Sequence, residues 1–411
     1  MNLPPEPEGS VGVDDPAVHL TDGAFYAGDP YPAFAWMRRH APAYWDAHGE
    51  VWGITRYADV KEISKDPETF SNAGGIRPDS GALPMMIDTD APEHVRRRRL
   101  VSAGFTPGRI RDSEAGIRSV CDDIIDRVCR AGSADFVRDI AAPLPMIVIG
   151  DMLGVAPSDR DDLLRWSDDM VRALGSPDPG AMDAAMLAAI EYAGYITGVT
   201  EERRRNRSSD DLIGTLVHAE IDGDRLDEQS LIYESLLILI GGDETTRHVL
   251  SGGMVELLGH RDQWEALRRD RSLLPGAVEE MLRWVSPIKN MARTVTREVE
   301  LHGRRLLAGQ KLLLLYPAAN RDEAVFAEPE RFDITRDPND HVAFGFGSHF
   351  CLGNRLARLE LRVMFDRLLD RLPDLELVGG ADLPVRPANF VSGFESVPVS
   401  FTPSAPVGVD R

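Results

Sequence analysis

Apolar residues recur at three- and four-residue intervals through much of the chain, the period of helices with one buried face. The segments 31–40 (YPAFAWMRRH), 90–105 (DAPEHVRRRRLVSAGF), 115–131 (AGIRSVCDDIIDRVCRA) and 356–372 (LARLELRVMFDRLLDRL) carry this pattern and predict helices. Strand-like runs are rarer. They are 43–46 (AYWD), 51–56 (VWGITR), 293–316 (RTVTREVELHGRRLLAGQKLLLLY) and 375–380 (LELVGG), with HGR and AGQ as turn sites. Such runs predict the short strands of a small sheet. The fold class that follows is mainly α with a small β-rich region.

One stretch departs from the amphipathic pattern. From 227 to 260 the chain reads DEQSLIYESLLILIGGDETTRHVLSGGMVELLGH. As a single helix it spans ~50 Å at 1.5 Å per residue. SLLILI is apolar all round, so this helix passes through the core. Gly241 and Gly242 then interrupt it, followed by Asp243, Glu244, Thr245 and Thr246. Each glycine costs ~1 kcal/mol against alanine inside a helix. Buried acids cost more unless they are paired. Either a site lies here, or the acids occupy an exposed stripe beyond the core segment; the pattern alone leaves both open.

Composition narrows the function classes. The 411 residues carry a net charge of −21, with 43% apolar and 27% charged side chains. These are the proportions of a globular enzyme. The acid excess argues against nucleic acid as partner, since phosphate tracking needs a basic surface. Arg96 to Arg99, the densest basic run, reads as a solvated helix face with one or two arginines turned inward. No stretch reaches the ~18 to 20 apolar residues of a spanning helix. The proline- and acid-rich start resembles neither a signal peptide nor an anchor. The expectation is a soluble cytoplasmic protein with loose tails at 1–16 and 403–411 around a single domain, 17–402. Of the three cysteines, Cys121 and Cys129 lack the partners of a zinc site and read as buried packing.

Cys351 is different. It lies in 343–361, AFGFGSHFCLGNRLARLEL, just before a helical run. Gly345 and Gly347 allow positive φ and bring backbone close to something flat. Gly353 is expected to let the following helix pack tightly. Amides at that helix start would favour a thiolate at Cys351. A loop thiolate wrapped in amides suits the fifth ligand of a haem iron.

With these residues in view, the chain resembles the cytochromes P450. FGFGSHFCLG, with Phe344, Gly345, His349, Cys351 and Gly353, is similar to the family's haem loop, and GGDETT to its distal-helix motif. Glu280 and Arg283 match its E-x-x-R pair, FDITRDPNDH its meander, and His94 and Arg98 its H-x-x-x-R. The matches run in family order from about Phe25 to Phe401. The resemblance implies one triangular fold around a long distal helix, with haem b held by Cys351. His94 and Arg98, one helical turn apart, are expected to hold one haem propionate. His349 and, by resemblance, Arg293 would hold the other. Glu280 and Arg283 would form a buried structural ion pair to which the meander adds a partner.

The family's thiolate pushes electron density toward O–O cleavage. Its reaction takes dioxygen, two electrons and two protons and inserts oxygen into a C–H bond. Thr245 would hydrogen-bond in a groove opened by the glycine break, and Glu244, with Asp243 behind it, would relay protons. Electrons would come from a ferredoxin and its reductase. A sensor without turnover and a peroxide-using peroxygenase are alternatives that need no such relay. The chain looks most like bacterial members that hydroxylate the terminal methyl of cholesterol or cholest-4-en-3-one. A fatty acid or another lipid is the other substrate class. The expected pocket residues are Ile76, Met85, Met86, Leu237, Ile240, Gly241, Ile288, Met291, Phe390 and Val391, nearly all apolar, with adaptable methionines.

Overall fold

The computed structural model describes residues 18–174, 178–207, 211–379 and 383–408. The segment 1–16, expected to be a loose tail, lies outside them. In chain order the helices begin with α1 (Gly23–Ala27), α2 (Tyr31–His40), α3 (Tyr57–Lys65), α4 (Glu93–Ser102) and α5 (Pro107–Asp112). Then come α6 (Glu114–Val128), α7 (Pro143–Leu153), α8 (Arg160–Arg172), α9 (Pro179–Arg205) and α10 (Leu212–His218). The last are α11 (Glu228–Gly259), α12 (Arg261–Arg269), α13 (Leu274–Val285), α14 (Tyr316–Ala319) and α15 (Asn354–Arg371). The strands are β1 (Ala43–Asp46), β2 (Val51–Ile54), β3 (Phe70–Ser71), β4 (Ser133–Asp135) and β5 (Met291–Val295). They continue with β6 (Val299–Leu301), β7 (Arg304–Leu306), β8 (Lys311–Leu314), β9 (Glu376–Leu377) and β10 (Pro398–Ser400).

The four segments read as helices form α2, α4, α6 and α15. The one beginning at 90 starts later, at Glu93, because Pro92, at the cap, disfavours a helical backbone at the residue before it. The stretch 293–316 divides at its two turn sites, where Gly303 and Gly309 take φ of 72° and 88°. The larger sheet has the order β1-β2-β8-β5-β3. In it β2 and β8 run parallel and the other neighbours antiparallel. β4, β10 and β9 form a second sheet, and β6–β7 a hairpin.

α11 is the axis of the helical part. Its N-cap Asp227 accepts the Ser230 amide at 2.7 Å. It runs unbroken for 32 residues and contacts α7, α8, α9, α13 and α15. The expected interruption at Gly241–Gly242 does not occur, so no break opens a groove. Packing explains the second glycine instead: a Cβ on Gly242 would lie 3.1 Å from Ile149 of α7. Asp243 and Glu244 are fully buried, which removes the exposed-stripe alternative.

Cys121 and Cys129 are fully buried in the core that joins α6 to α15, as expected. In the arginine run, Arg99 is exposed and Arg97 turns inward against Glu234, while Arg98 donates to the Phe350 carbonyl at 2.5 Å. Glu280 and Arg283 pair at 2.7 and 2.8 Å with no exposure of either side chain. The meander closes this pair: Arg336 and Asn339 each reach Glu280 at 3.1 Å. Residues 403–408, expected to be loose, are held instead. Ser404 donates to the Cys129 carbonyl at 2.8 Å, and the Val407 and Gly408 amides donate to Asp126. Among the described residues, no helix is long and apolar enough to cross a membrane.

Candidate functional site

One cavity, partly open to solvent, lies between α11 and the loop that leads into α15. From α11 it is lined by Leu237, Ile238, Gly241, Gly242, Thr245, Thr246 and Val249, one face of the helix. From the facing loop come Phe344, Gly345, His349, Cys351 and Gly353. This brings Cys351 and Thr245 to one space although they lie far apart in sequence.

The loop's shape follows from its glycines. Gly345 and Gly347 have φ of 71° and 76°. A Cβ on Gly347 would lie 2.4 Å from the Ser64 carbonyl oxygen, so no other residue fits there. The Cys351 amide donates to the Phe344 carbonyl at 2.9 Å, closing the turn. Gly353 is not the close-packing position expected, since a Cβ there would meet no protein atom within 4 Å. Its amide, with that of Asn354, instead turns to the Cys351 sulfur. Burial pushes the Cys351 thiol up, and these amides, Arg98 and Arg358 oppose it without reversing it. The amides favour the thiolate, as expected, but against burial they do not by themselves produce it. A cation bound at the sulfur does so outright.

Four basic side chains, His94, Arg98, Arg293 and His349, converge on the same cavity. His94 and Arg293 are buried. Among the described residues no carboxylate pairs with any of the four. Asp90, whose charge reaches His94 and Arg293, is engaged by the Ser71 hydroxyl and the Asn72 amide. The rings of His94 and His349 stack with centroids 3.9 Å apart. The four therefore form one cluster, not two separate pairs. Burial, with the charges of Arg293 and Arg98, keeps His349 neutral, and its buried Nδ1 has no hydrogen-bond partner. Buried cations without anions are costly. This cluster is completed by an anionic ligand, and a haem with two carboxylates and a metal for the sulfur meets both demands.

The acids of α11 are arranged otherwise. Glu244 accepts from Arg386 at 2.8 Å and from Arg247, with His248 at 3.5 Å. Arg247 and Arg386 also reach Asp168 of α8, at 2.9 and 3.4 Å. Burial raises the Glu244 pKa, but Arg247, His248 and Arg386 outweigh it and hold the carboxyl well below its usual range. Its neighbour Asp243 is pushed up to about 8 by burial, against the pull of Arg247. At neutral pH one acid is an anion and the other holds its proton. Neither lines the cavity; Thr245 does, and its hydroxyl donates to the Gly241 carbonyl at 2.8 Å. The partners Arg247, Arg386 and Asp168 were not anticipated.

Of the expected pocket residues, Met86, Leu237, Gly241, Ile288 and Met291 line the cavity. Ile76, Met85, Ile240, Phe390 and Val391 do not. Ile76, Phe390 and Val391 form a buried cluster with Val171, and Ile240, Ile288 and Met291 pack against it. Met85 is buried in the core around α7–α11. These residues back the wall. Ile238, Thr246 and Val249 of α11 also line it, and their spacing of three or four residues from Gly241, Gly242 and Thr245 is the signal that identifies them.

The cytochrome P450 family profile matches residues 165–373. A steroid C26-monooxygenase of Mycobacterium tuberculosis is 57% identical over 397 residues, 96% of this chain and 99% of that protein. The chain belongs to the cytochrome P450 family. A second steroid C26-monooxygenase, from Mycolicibacterium smegmatis, is 55% identical over 394 residues, 95% of this chain and 98% of that one. The crystal structure of CYP109E1 from Bacillus megaterium in complex with testosterone superimposes with a TM-score of 0.83 at 33% identity, covering 91% of this chain and 99% of that one. As a P450, this protein is a haem-dependent monooxygenase that uses dioxygen, a redox partner and an apolar substrate.

Proposed function

We propose that this P450 hydroxylates the terminal methyl of a sterol side chain, with cholest-4-en-3-one or cholesterol as substrate. The observation that carries the reading is the apolar wall of Met86, Leu237, Ile238, Ile288 and Met291 converging on the space between Thr245 and Cys351. The two steroid C26-monooxygenase relatives, similar over nearly the full chain, support the sterol class. Each CH₂ moved from water into such a wall is worth ~0.8 kcal/mol, so a sterol gains more there than a short chain.

In this reading Cys351 would hold the iron of haem b as its thiolate ligand. Arg98 and Arg293 would neutralise the two propionates and His94 and His349 would hydrogen-bond them, while Phe344, Gly345 and Gly353 would line the cradle. When bound, the haem would supply the oxidising chemistry, in which dioxygen, two electrons and two protons give one water and one oxygen atom inserted into a C–H bond. The chain's own residues direct that chemistry. The wall side chains orient the sterol tail-first and exclude bulk water. Thr245 offers the cavity's distal hydroxyl, which holds a proton donor above the reacting centre. Glu244, anionic and tethered to two arginines, takes protons from the α8 side and passes them inward. Asp243, behind it, stays protonated. Glu280 and Arg283 lock the core behind the haem. A ferredoxin and its reductase supply the electrons, and the protein works in the cytoplasm.

The test is reconstitution with ferredoxin, ferredoxin reductase and reduced nicotinamide. Cholest-4-en-3-one is expected to shift the iron spin state, bind far more tightly than a medium-chain fatty acid, and gain one oxygen at its terminal methyl. Equal or tighter binding of the fatty acid overturns the sterol reading.

A further inference from the structure

The segment 72–90, between β3 and α4, carries Met86 and Ile87 into the cavity lining, and the Ala292 amide of β5 donates to its Ile76 carbonyl at 2.7 Å. Two carboxylates staple this segment to itself. Asp88 accepts the Ile76 and Leu83 amides at 2.9 Å each and pairs with Arg77 at 2.9 Å. Asp90 accepts the Asn72 amide at 3.0 Å and the Ser71 hydroxyl. These bonds fix the segment's shape. They do not fix its distance from α11, the facing wall.

A third carboxylate does. Glu234, on the second turn of α11, is fully buried beside Leu231 and Leu236. It accepts the Met86 amide at 2.8 Å. Arg97 of α4 lies 3.3 Å from the same oxygen and donates to the Pro84 carbonyl at 2.9 Å. Residues 84–86 are thus clamped from two helices. Glu234 is one turn before Leu237 and Ile238, which line the same cavity as Met86. A carboxylate in a leucine-rich core is costly, and an apolar side chain of similar volume would fill the space more cheaply. What a polar side chain supplies here, and an apolar one does not, is a directional acceptor for one backbone amide. Burial pushes its carboxyl up to about 7, against the Met86 amide and Arg97, which shows how far it is withdrawn from water.

We propose that Glu234 is a positioning residue for substrate selectivity: its bond to the Met86 amide sets the gap between Met86 and Leu237, and so favours a broad ring-bearing lipid over a slim chain. This rests on the sterol reading above, and the experiment separates the two. Haem-loaded wild type, Glu234→Leu, Glu234→Gln and Arg97→Gln are compared by spin-state titration with cholest-4-en-3-one and with dodecanoic acid. Hydrogen exchange of the Met86 amide is followed without ligand, and the band of the reduced carbon monoxide complex checks that each variant is intact.

Losing one buried acceptor is worth about tenfold, so Glu234→Leu is expected to lose about tenfold in sterol affinity and in Met86 protection. Dodecanoic acid should bind as before. Glu234→Gln keeps an acceptor and should keep both properties. Arg97→Gln should move them in the direction of the Leu variant by less, and it carries the comparison if the Leu variant does not load haem. Unchanged Met86 protection in Glu234→Leu and in Arg97→Gln overturns the inference. So does an equal loss for both ligands. If wild type gives no spin shift with the sterol while Glu234→Leu still deprotects Met86, the substrate reading fails and the clamp stands.

Discussion

Two clusters of charge, one lining the cavity and one outside its lining, differ in whether the protein itself compensates them. Around Glu244, the charges of Arg247, Arg386 and Asp168 compensate one another within the protein. Around Arg293, the cluster with His94, Arg98 and His349 has no carboxylate partner among the described residues. A closed network needs nothing further and serves to hold a proton route in place. An open one is unstable alone and marks where an anionic ligand binds. The difference separates the cofactor's seat from the proton path without reference to any motif.

The largest effect should come from the sulfur at the open end. Cys351→Ala or Cys351→Ser is expected to abolish the thiolate-type band of the reduced carbon monoxide complex. Cys121→Ala and Cys129→Ala, both deep in the α6–α15 core, should leave it in place. Loss of the band in either of those variants instead would mean that the ligand has been misassigned.

Next in size is the contrast between the clusters. Arg247→Met removes a partner from a closed network and leaves Glu244 and Asp168 undercompensated. It should cost about 3–5 kcal/mol in urea unfolding and leave haem retention unchanged. Arg293→Met removes a cation that has no protein anion. It should barely lower the unfolding free energy yet speed haem loss to an acceptor protein about tenfold, by removing a charge-assisted contact. If the two substitutions exchange these phenotypes, the open and closed assignments are reversed.

A smaller effect distinguishes the adjacent acids. Asp243, raised to about 8 when folded, keeps a proton that the unfolded chain gives up above ~3.9. Wild type should therefore lose stability against Asp243→Asn as pH rises from about 4 toward 8, by at most ~1.4 kcal/mol per pH unit, and level off beyond. Glu244 is held low, so its contribution has the opposite sign: present above the unfolded value and lost as the pH falls through the folded one. Urea midpoints of both proteins at pH 5 and pH 8 measure the gap. A gap that does not widen means Asp243 is ionised in the fold.

The parts of the site that were legible in the sequence are contiguous in it. The loop 343–361 and the α11 motif each place their special residues within a few positions, and Glu280 and Arg283 lie one turn apart on α13. Arg386, by contrast, meets Glu244 across 142 residues, and no local pattern announces that pairing. The pocket was half legible for another reason. Apolar type cannot separate a residue that lines a wall from one that backs it; Ile240 and Gly241 are neighbours, yet 100° of helix rotation sends one behind the wall and the other into the cavity. β3, β4 and β10, with two or three residues each, are too short to show any period. The glycine pair misled because a glycine cost in a helix was read as a break, when close packing on Ile149 accounts for Gly242.

Thr245 gives the finest test, since it should change neither fold nor haem. Its hydroxyl faces the cavity while donating to the Gly241 carbonyl at 2.8 Å, so it is held in place and still has lone pairs to offer. Glu244 behind it is already anionic and tethered. Thr245→Ala removes one of the two hydroxyl side chains that α11 brings to the cavity, Thr246 carrying the other, and leaves the apolar wall and the Cys351 loop untouched. Substrate binding and electron delivery do not use this hydroxyl, so nicotinamide consumption should persist. Without a positioned donor the second proton arrives late, and reduced oxygen escapes as hydrogen peroxide. Hydroxylated product per electron pair should fall, with peroxide rising to match. Glu244→Gln should behave differently: proton supply itself fails, and the whole cycle slows with coupling better preserved. Full coupling in Thr245→Ala would remove the hydroxyl from the proton path and leave a water held at the Gly241 carbonyl to perform that role.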